Sequence, residues 1–313
     1  MPLGSFTNQP LAEKILAALD TISGLHPGFR PVHAKGVMCT GTFTPSPEAA
    51  KLTRAPHAIR PTTPVIVRFS DSPGVPTVPD NDPKQSGPRG MAIRFQLGEH
   101  EHTDIVAHSS NSFPARTGEE FLEFLEAAIS NAGGKPDALA AFLASHPGAK
   151  RHVELPKPIP SSFAREVYFA ITAFKFTNAA GESKFGRYRI RPQSGVEHLS
   201  DDEAAKKSPN FLMDEIGPRL ARHPANFDIF VEVADAADDP TNATVPWPEK
   251  CKETNFGTLT LTERVDDQTP ERLKMIFDPV PRVEGIESAG DPLTELRSDI
   301  YLLSGRRRRA ATQ

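Results

Sequence analysis

The sequence predicts an α+β fold in which an antiparallel β-sheet closes into a barrel and helices surround it. Many short segments rich in β-branched and aromatic residues are separated by turn residues, and most are followed by tight returns, a pattern typical of antiparallel barrels. The 31 prolines among 313 residues also favour short elements joined by loops. No internal repeat or low-complexity linker interrupts the chain, so we predict a single domain over residues 1–313.

The first half of the chain begins with a helix and continues with strands. Apolar residues recur at helical spacing between residues 11 and 25 and predict a short amphipathic N-terminal helix. Period-two or β-branched runs bounded by Pro, Gly or Asp predict strands over residues 32–44, 63–70, 89–97 and 102–109. Helical patterns follow over residues 118–134, where a glycine pair ends the first, and over residues 138–147.

The second half returns to strands and ends with a helix. Residues 165–192 predict a hairpin with "NAAGES" as its turn, and residues 202–222 predict a helical segment broken at Pro209. Alternating residues predict strands over 226–235 and 256–265. The segment "PLTELRSDIYLLSGRRRR", residues 292–309, predicts a C-terminal helix that packs outside the sheet.

Composition excludes several classes of protein. The formal net charge of -4 gives no overall basic field to attract nucleic acid or anionic membrane. No apolar run approaches the roughly 20 residues of a membrane span, and the start lacks the pattern of a signal peptide. Cys39 and Cys251 are too few for a disulfide scaffold or a structural zinc site. We therefore expect a cytoplasmic protein.

The last predicted helix places a phenol between two cations. At 3.6 residues per turn, Arg297, Tyr301 and Arg308 fall within about 40° of one another. One interpretation is a solvated basic face, which is typical of charge runs such as "RRRR". The alternative is a phenolate: because a free tyrosine has a pKa of about 10, it stays ionised only beside positive charge, which either Arg297 or a ferric iron would supply.

Histidines and polar strand residues form a second group of candidates. Arg68 and Ser70 share one face of a predicted strand, which is either the polar outer face of an edge strand or a site wall. His33 and His108, considered alone, are better explained as ordinary core or surface histidines than as catalytic residues. His100 and His102 have the spacing of a metal-binding pair, but their polar surroundings favour a solvated turn.

Considered together, these segments resemble the catalase family. The similar segments are "RPVHAKGVMCTGTF", "VIVRFSDSPG", "PRGMAIRF", "TDIVAHSSNSFPART", "AFKFTNAAGES", "MIFDPVPRVEGI" and "LRSDIYLLSGRRRR". They occur in the family's order from about residue 30 to residue 308, which covers nearly the whole chain. The resemblance is greatest to the small catalase-related haem peroxidases, which consist of little more than the haem-binding core.

The resemblance implies roles on the side of the haem that carries the axial ligand. Tyr301 corresponds to the tyrosine that binds the iron of haem b as a phenolate, the ligation known for catalase. Arg297 corresponds to the arginine that hydrogen-bonds the phenolate and keeps it ionised. Arg30, Arg68 and Arg308 correspond to arginines that bind the haem propionates, for which a guanidinium is well suited.

The resemblance also implies roles on the opposite, distal side. His33 corresponds to the distal acid and base, and Ser70 to the residue that fixes its ring orientation. Val32 corresponds to a residue that narrows access to the iron. Phe113 and Phe121 fall where the family has aromatic residues around the haem.

One position departs from typical catalases. A gapless alignment of "DIVAHSSNSF" puts His108 where they have the distal asparagine, whereas Asn111 fills that role only after a shift of three residues. Either two imidazoles face the iron, or the loop bends and brings Asn111 to it. This departure argues against efficient dismutation of hydrogen peroxide.

The resemblance therefore implies a haem-dependent peroxidase that reduces organic hydroperoxides and hydrogen peroxide through a compound I intermediate, with weak catalase activity. Because the family's outer segments are absent from this chain, we expect an open pocket and an assembly smaller than that of typical catalases, a homodimer. The expected partners are a small hydroperoxide and an organic electron donor. The alternatives are a hydroperoxide isomerase resembling allene oxide synthase, a non-catalytic haem-binding protein, and a β-rich protein without a cofactor.

Overall fold

A computed structural model describes residues 9–135, 137–247, 251–265, 269 and 273–311. Its centre is an antiparallel β-barrel. Eight strands follow one another around the sheet, and the last of them pairs with the first to close the ring. Two further strands extend the sheet beside the ring. The predicted α+β class with a closed barrel is confirmed, whereas the single-domain organisation over 1–313 stays a prediction.

The strands have the following bounds: β1 Gly36–Pro45, β2 Thr63–Asp71, β3 Arg89–Gln96, β4 His102–His108, β5 Ile159–Pro160, β6 Tyr168–Phe169, β7 Phe174–Thr177, β8 Ser183–Pro192, β9 His198–Leu199, β10 Ala225–Val233, β11 Lys252–Val265 and β12 Ile286–Ser288. The order around the ring is β10-β11-β1-β2-β3-β4-β6-β8, with β10 paired to β8, and β7 and β12 extend the sheet beside β8. The helices are α1 Gln9–Ser23, α2 Ala49–Leu52, α3 Pro56–Ile59, α4 Gly118–Ala132, α5 Asp137–Ser145, α6 Pro147–Glu154, α7 Asp201–Ala205, α8 Phe211–Arg222 and α9 Pro292–Ala311, with a 3₁₀ turn at Phe163–Arg165.

Aromatic side chains fill the barrel. They come from alternate positions of its strands, as expected when one face of a sheet is buried, and include Phe43, Phe69, Phe95, Phe227 and Phe256, all fully buried. Neighbouring rings meet edge to face or offset, for example Phe43 and Phe95 with centroids 5.2 Å apart. This core fixes the curvature of the barrel wall on which the site lies.

Strand β2 shows where a second layer covers the barrel. Its first residues alternate between buried and more exposed, but every residue from Val67 to Asp71 is buried. A strand buried on both faces must be covered on both. Val67 and Phe69 face the barrel core, so Arg68 and Ser70 point to the outer side of the barrel, which helix α9 covers. Because β2 lies between β1 and β3, the edge-strand interpretation of Arg68 and Ser70 is wrong.

Helices α1, α4 and α9 pack together outside the barrel. Ala12, Ile15, Leu16 and Leu19 of α1 form a buried cluster with residues of the two other helices, among them Ile300 of α9. Burying an Ile or Leu side chain fully contributes about 1.5–3 kcal/mol, so this amphipathic stripe is what holds α9 in place. Gly118 allows close packing, since a Cβ there would lie 2.1 Å from Leu296 Cδ2 of α9.

Most predicted elements are present, with shifted ends. The turn between β7 and β8 is the predicted "NAAGES" turn, and the helical segment over 202–222 is divided into α7 and α8 around Pro209. The strand predicted over 32–44 begins only at Gly36, so His33 precedes it. Helix α6 was not predicted: the helical segment predicted over 138–147 ends at Pro147, which in the structure occupies the first turn of a new helix. Within the described ranges, no helix is both long and apolar enough to cross a membrane.

Candidate active site

A cavity lies between the outer face of the barrel and helix α9. Its empty volume is about 650 Å³, counted with the part that opens to solvent. The segment 30–33 and strands β2, β3 and β4 form one wall. Ile300, Tyr301, Ser304 and Arg308 of α9 form another, and Ile276 and Phe277 complete it.

His33 lies on the strand wall in an unusual backbone conformation. Its φ is +57°, a left-handed conformation that costs free energy for a residue with a side chain. The backbone N–H of His33 donates to the carbonyl oxygen of Ser72 at 2.7 Å, and the Nδ1 of its ring is 3.0 Å from Ser70 Oγ. The geometry therefore presents the ring to the cavity with one nitrogen already engaged.

The imidazole of His33 is held in its neutral form. Burial, and then the positive charges of Arg68, Arg30 and Arg297, lower the pKa of His33 from 6.5 to about 3, while a hydrogen bond with the backbone of Asp71 acts in the opposite direction. A neutral imidazole keeps one nitrogen as a proton acceptor. His33 is therefore chemically able to act as a base at neutral pH.

His108, the last residue of β4, lies beside His33. The two rings are stacked, with centroids 5.8 Å apart and planes inclined by 25°. Burial, and then the charge of Arg297, lowers the pKa of His108 well below its usual value, so this imidazole is also neutral. Asn111 is three residues further along the chain and is not a wall residue of the cavity. Of the two arrangements that the sequence left open, the structure has the two imidazoles side by side.

Helix α9 brings the phenol of Tyr301 to the same cavity. Arg297, one turn earlier, donates from Nη2 to Tyr301 Oη at 3.3 Å, and its guanidinium carbon lies 5.8 Å from the centre of the tyrosine ring. The side chain of Arg297 is buried. The solvated-face interpretation of this stripe is therefore wrong for Arg297 and Arg308, although Arg306 and Arg307 are exposed.

Arginines from distant parts of the chain meet at the cavity. Arg30 donates to the carbonyl oxygen of Met275 at 3.0 Å, and Arg308 donates to the same oxygen at 3.3 Å. Arg68 lines the strand wall and donates to the carbonyl oxygen of Ala34 at 3.2 Å. Burial lowers the pKa of Arg308 to about 10, which still leaves it charged at neutral pH. A cavity that gathers three guanidinium groups favours a ligand with carboxylates.

Of the remaining predicted residues, Val32 lines the cavity, whereas Phe113 and Phe121 are not wall residues. The two phenylalanine rings contact each other, with centroids 4.9 Å apart. Val32, Phe121 and Tyr301 all pack against the helical cluster of α1, α4 and α9. Contact of Phe113 and Phe121 with a cofactor stays a prediction.

Glycines that the sequence analysis did not single out make the site possible. A Cβ on Gly90 would lie 2.6 Å from Ser70 Oγ and 2.8 Å from His33 Nδ1. A Cβ on Gly36 would lie 2.5 Å from Arg68 Nη2. The sequence signal that could have identified these glycines is their position within a strand pattern, which marks a place where another group approaches the backbone closely. Of the two histidines with the spacing of a metal-binding pair, His100 is exposed in the turn before β4, whereas His102 is the first residue of that strand. No group of three or more potential metal ligands occurs among the residues that the structure describes.

The comparisons with known proteins now identify the family. The family model described as "Catalase" matches residues 28–312. The chain belongs to the catalase family. It is 33% identical over 295 residues to a catalase-related peroxidase of Mycolicibacterium paratuberculosis, covering 93% of each chain. It is 30% identical over 297 residues to a catalase-related peroxidase of Synechococcus elongatus, covering 93% of this chain and 87% of the other. The family makes the chain a peroxide-handling oxidoreductase.

Solved catalase structures share the fold. A fungal catalase superposes with a TM-score of 0.78 at 19% identity, covering 94% of this chain and 62% of its own. Catalase A from Saccharomyces cerevisiae superposes with a TM-score of 0.79 at 18% identity, covering 94% of this chain and 64% of its own. The chain thus spans less than two thirds of these longer catalases, and the likeness establishes the fold.

The cavity suits the cofactor that the family implies. Catalase-family membership implies haem binding. A haem needs apolar walls for its macrocycle, cations for its propionates and a ligand for its iron. Val32, Val106, Ile276 and Ile300 supply apolar wall, three arginines supply the cations, and the phenol of Tyr301 is a suitable anionic ligand. The donor set therefore fits a haem.

Proposed function

We propose that the protein is a haem-dependent peroxidase that reduces organic hydroperoxides, and hydrogen peroxide more slowly, with weak catalase activity. The observation that carries the proposal is the pair of neutral imidazoles, His33 and His108, in a cavity whose α9 wall presents Tyr301. The relatives named catalase-related peroxidases, which match over most of their length, support the same class.

Tyr301 would bind the iron of haem b, and Arg297 would keep its phenol ionised by donating to Oη, the contact that the structure already contains. Arg30, Arg68 and Arg308 would bind the propionates. When bound, the haem would supply the oxidation–reduction chemistry by which the hydroperoxide is reduced at the expense of an organic donor.

His33 would move the proton. With Nδ1–H directed toward Ser70, Nε2 keeps its lone pair and takes the proton from the hydroperoxide oxygen that approaches the cofactor. The same nitrogen then returns the proton to the departing oxygen, which leaves as an alcohol rather than as an anion. Each turnover consumes two electrons and two protons in converting ROOH into ROH and water. An organic donor supplies the electrons.

Two features of the cavity favour organic hydroperoxides over dismutation. Its apolar residues, among them Val32, Ala92, Val106 and Phe277, suit the organic group of such a substrate. In addition, typical catalases carry an amide at the position of His108. A neutral imidazole has a single N–H, whereas an amide has two donors and an acceptor, so His108 positions a second hydrogen peroxide less well.

The experiment loads the purified protein with hemin, records its absorption spectrum, and adds cumene hydroperoxide or hydrogen peroxide with a phenolic donor. The proposal expects a Soret band, donor oxidation matched by cumyl alcohol, and oxygen evolution much slower than donor oxidation. Faster oxygen evolution would indicate a catalase. With a lipid hydroperoxide, an epoxide or ketol formed without donor consumption would indicate an isomerase. A spectrum unaffected by peroxide would indicate a haem carrier.

A further inference from the structure

The strained conformation of His33 needs an external restraint. Among the described residues it is the only one other than glycine with a positive φ. Such a conformation persists only where surrounding contacts determine it. Two backbone hydrogen bonds to the end of β2 and the residues after it provide part of the restraint. Ala34 N donates to the carbonyl oxygen of Pro73 at 3.0 Å, and Asp71 N donates to the carbonyl oxygen of Lys35 at 3.2 Å.

The side chain of Lys35, two residues after His33, reaches away from the cavity into a buried polar cluster. Its ammonium donates to the carbonyl oxygens of Val78 at 2.7 Å and Pro209 at 2.9 Å, and it forms an ion pair with the carboxylate of Asp80. An ammonium has three donors, so all of them are used. Lys35 is 9% exposed and Asp80 is 0% exposed, so water does not replace these contacts.

Asp80 connects this ammonium to two other elements. Its second carboxylate oxygen accepts from Leu212 N at 2.8 Å, in the first turn of α8. Its carbonyl oxygen accepts from Arg89 Nη2 at 2.8 Å, and Arg89 also forms an ion pair with Asp71, the residue after Ser70. Two buried ion pairs thus connect the segment that carries His33 and the strand that carries Ser70 to the β2–β3 connection, which contains Asp80.

We propose that Lys35 is a positioning residue for His33, with Asp80 as its anchor and the Arg89–Asp71 pair fixing the strand that carries Ser70. This inference rests on the proposed function, in which His33 transfers the proton. Removing the ammonium leaves Asp80 buried without its cation, which is unfavourable. The segment would then shift, His33 would relax from its left-handed conformation, and the Nδ1 contact with Ser70 Oγ would be lost.

The first measurement needs no cofactor. Nitrogen-15 NMR of the histidine rings in the haem-free protein, with His33 assigned by its absence in His33→Ala, reports its tautomer. The wild type should show one tautomer, and Lys35→Met should show a mixture of tautomers. Lys84→Met is the matched control, because Lys84 is an exposed lysine of the β2–β3 connection that also contains Asp80. Lys35→Arg, which keeps the charge, should restore the single tautomer in part.

The second measurement is a double-mutant cycle on the rate at which the hemin-loaded protein reacts with cumene hydroperoxide. Lys35→Met should slow the reaction about tenfold when His33 is present and less than about twofold in His33→Ala, since coupled residues are not additive. If Lys35 had only a general structural role, Lys35→Met would slow the reaction equally with and without His33, and this result would overturn the proposal, as would an unchanged His33 tautomer.

If Lys35→Met does not fold, Asp80→Asn replaces it in both measurements. An inert wild type would refute the proposed function, while the NMR result would still decide the positioning claim.

Discussion

Gly90 of β3 is the residue at which a single methyl group tests the geometry of the site. A Cβ there would lie 2.8 Å from His33 Nδ1, whereas ordinary contacts begin at about 3.4 Å. In Gly90→Ala the ring must therefore retreat by at least about 0.6 Å, the difference between these distances. Ser70 Oγ, 2.6 Å from the same Cβ, must move as well, so the Nδ1–Oγ hydrogen bond is strained from both ends.

The expected magnitude follows from this displacement. A misplacement of about 1 Å costs about 10²-fold in rate, so a shift of about 0.6 Å should slow the reaction with hydroperoxide about tenfold or more. Overpacking should also lower the free energy of unfolding by about 1–3 kcal/mol. Affinity for hemin should remain, because Gly90→Ala changes neither Tyr301 nor the arginines of the cavity.

The assay is stopped-flow absorbance of the hemin-loaded protein mixed with cumene hydroperoxide, at constant pH. Gly98→Ala is the control, because Gly98 follows β3 and a Cβ there meets only the side chain of Glu101, no closer than 3.5 Å. The control should react at the wild-type rate. A Gly90→Ala protein that reacts as fast as wild type, with an unchanged spectrum, would show that the position of His33 does not limit proton transfer.

Three further changes test other parts of the structure. Tyr301→Phe removes the proposed ligand oxygen, so hemin affinity measured by Soret titration should fall at least about tenfold; an unchanged spectrum would contradict axial ligation. His108→Asn should raise oxygen evolution from hydrogen peroxide relative to donor oxidation, and an unchanged ratio would remove His108 from the explanation of weak catalase activity. Burial lowers the pKa of His57 from 6.5 to about 3, so the unfolded chain binds the proton more readily and stability is lost as the pH falls from about 6.5 to about 3. His57→Phe should therefore make the free energy of unfolding, measured in urea, less dependent on pH in that window by up to about 1.4 kcal/mol per pH unit; equal slopes would contradict a neutral buried His57.

Local periodicity was enough to predict which side chains share a face. The period of two placed Arg68 and Ser70 on one face of β2, and the helical period placed Arg297, Tyr301 and Arg308 on one stripe of α9. The structure retains both groupings. Local periodicity did not reveal what covers each face, so the solvent-exposed and buried interpretations stayed open for both until the packing of α9 against the barrel was known.

The conformation at His33 was beyond the reach of local patterns. The run from residue 32 has strand-like composition, but the hydrogen bond from His33 N to Ser72 and the buried ion pair of Lys35 impose a left-handed turn before β1 begins. These contacts join residues far apart in sequence. Helix α6 was missed for a local reason, since proline both ends helices and occupies their first turns.

The sequence by itself determined the class of fold, most of its elements and the family, because hydrophobic period, turn residues and ordered motifs are properties of neighbouring residues. Only the tertiary structure decided that His108 rather than Asn111 stands beside His33, that Gly90 makes room for the imidazole, and that Arg30 and Arg308 share the carbonyl oxygen of Met275. Distances between residues remote in the chain depend on how the barrel closes and where α9 packs. The barrel core and the α1–α4–α9 cluster set both, and no local pattern encodes them.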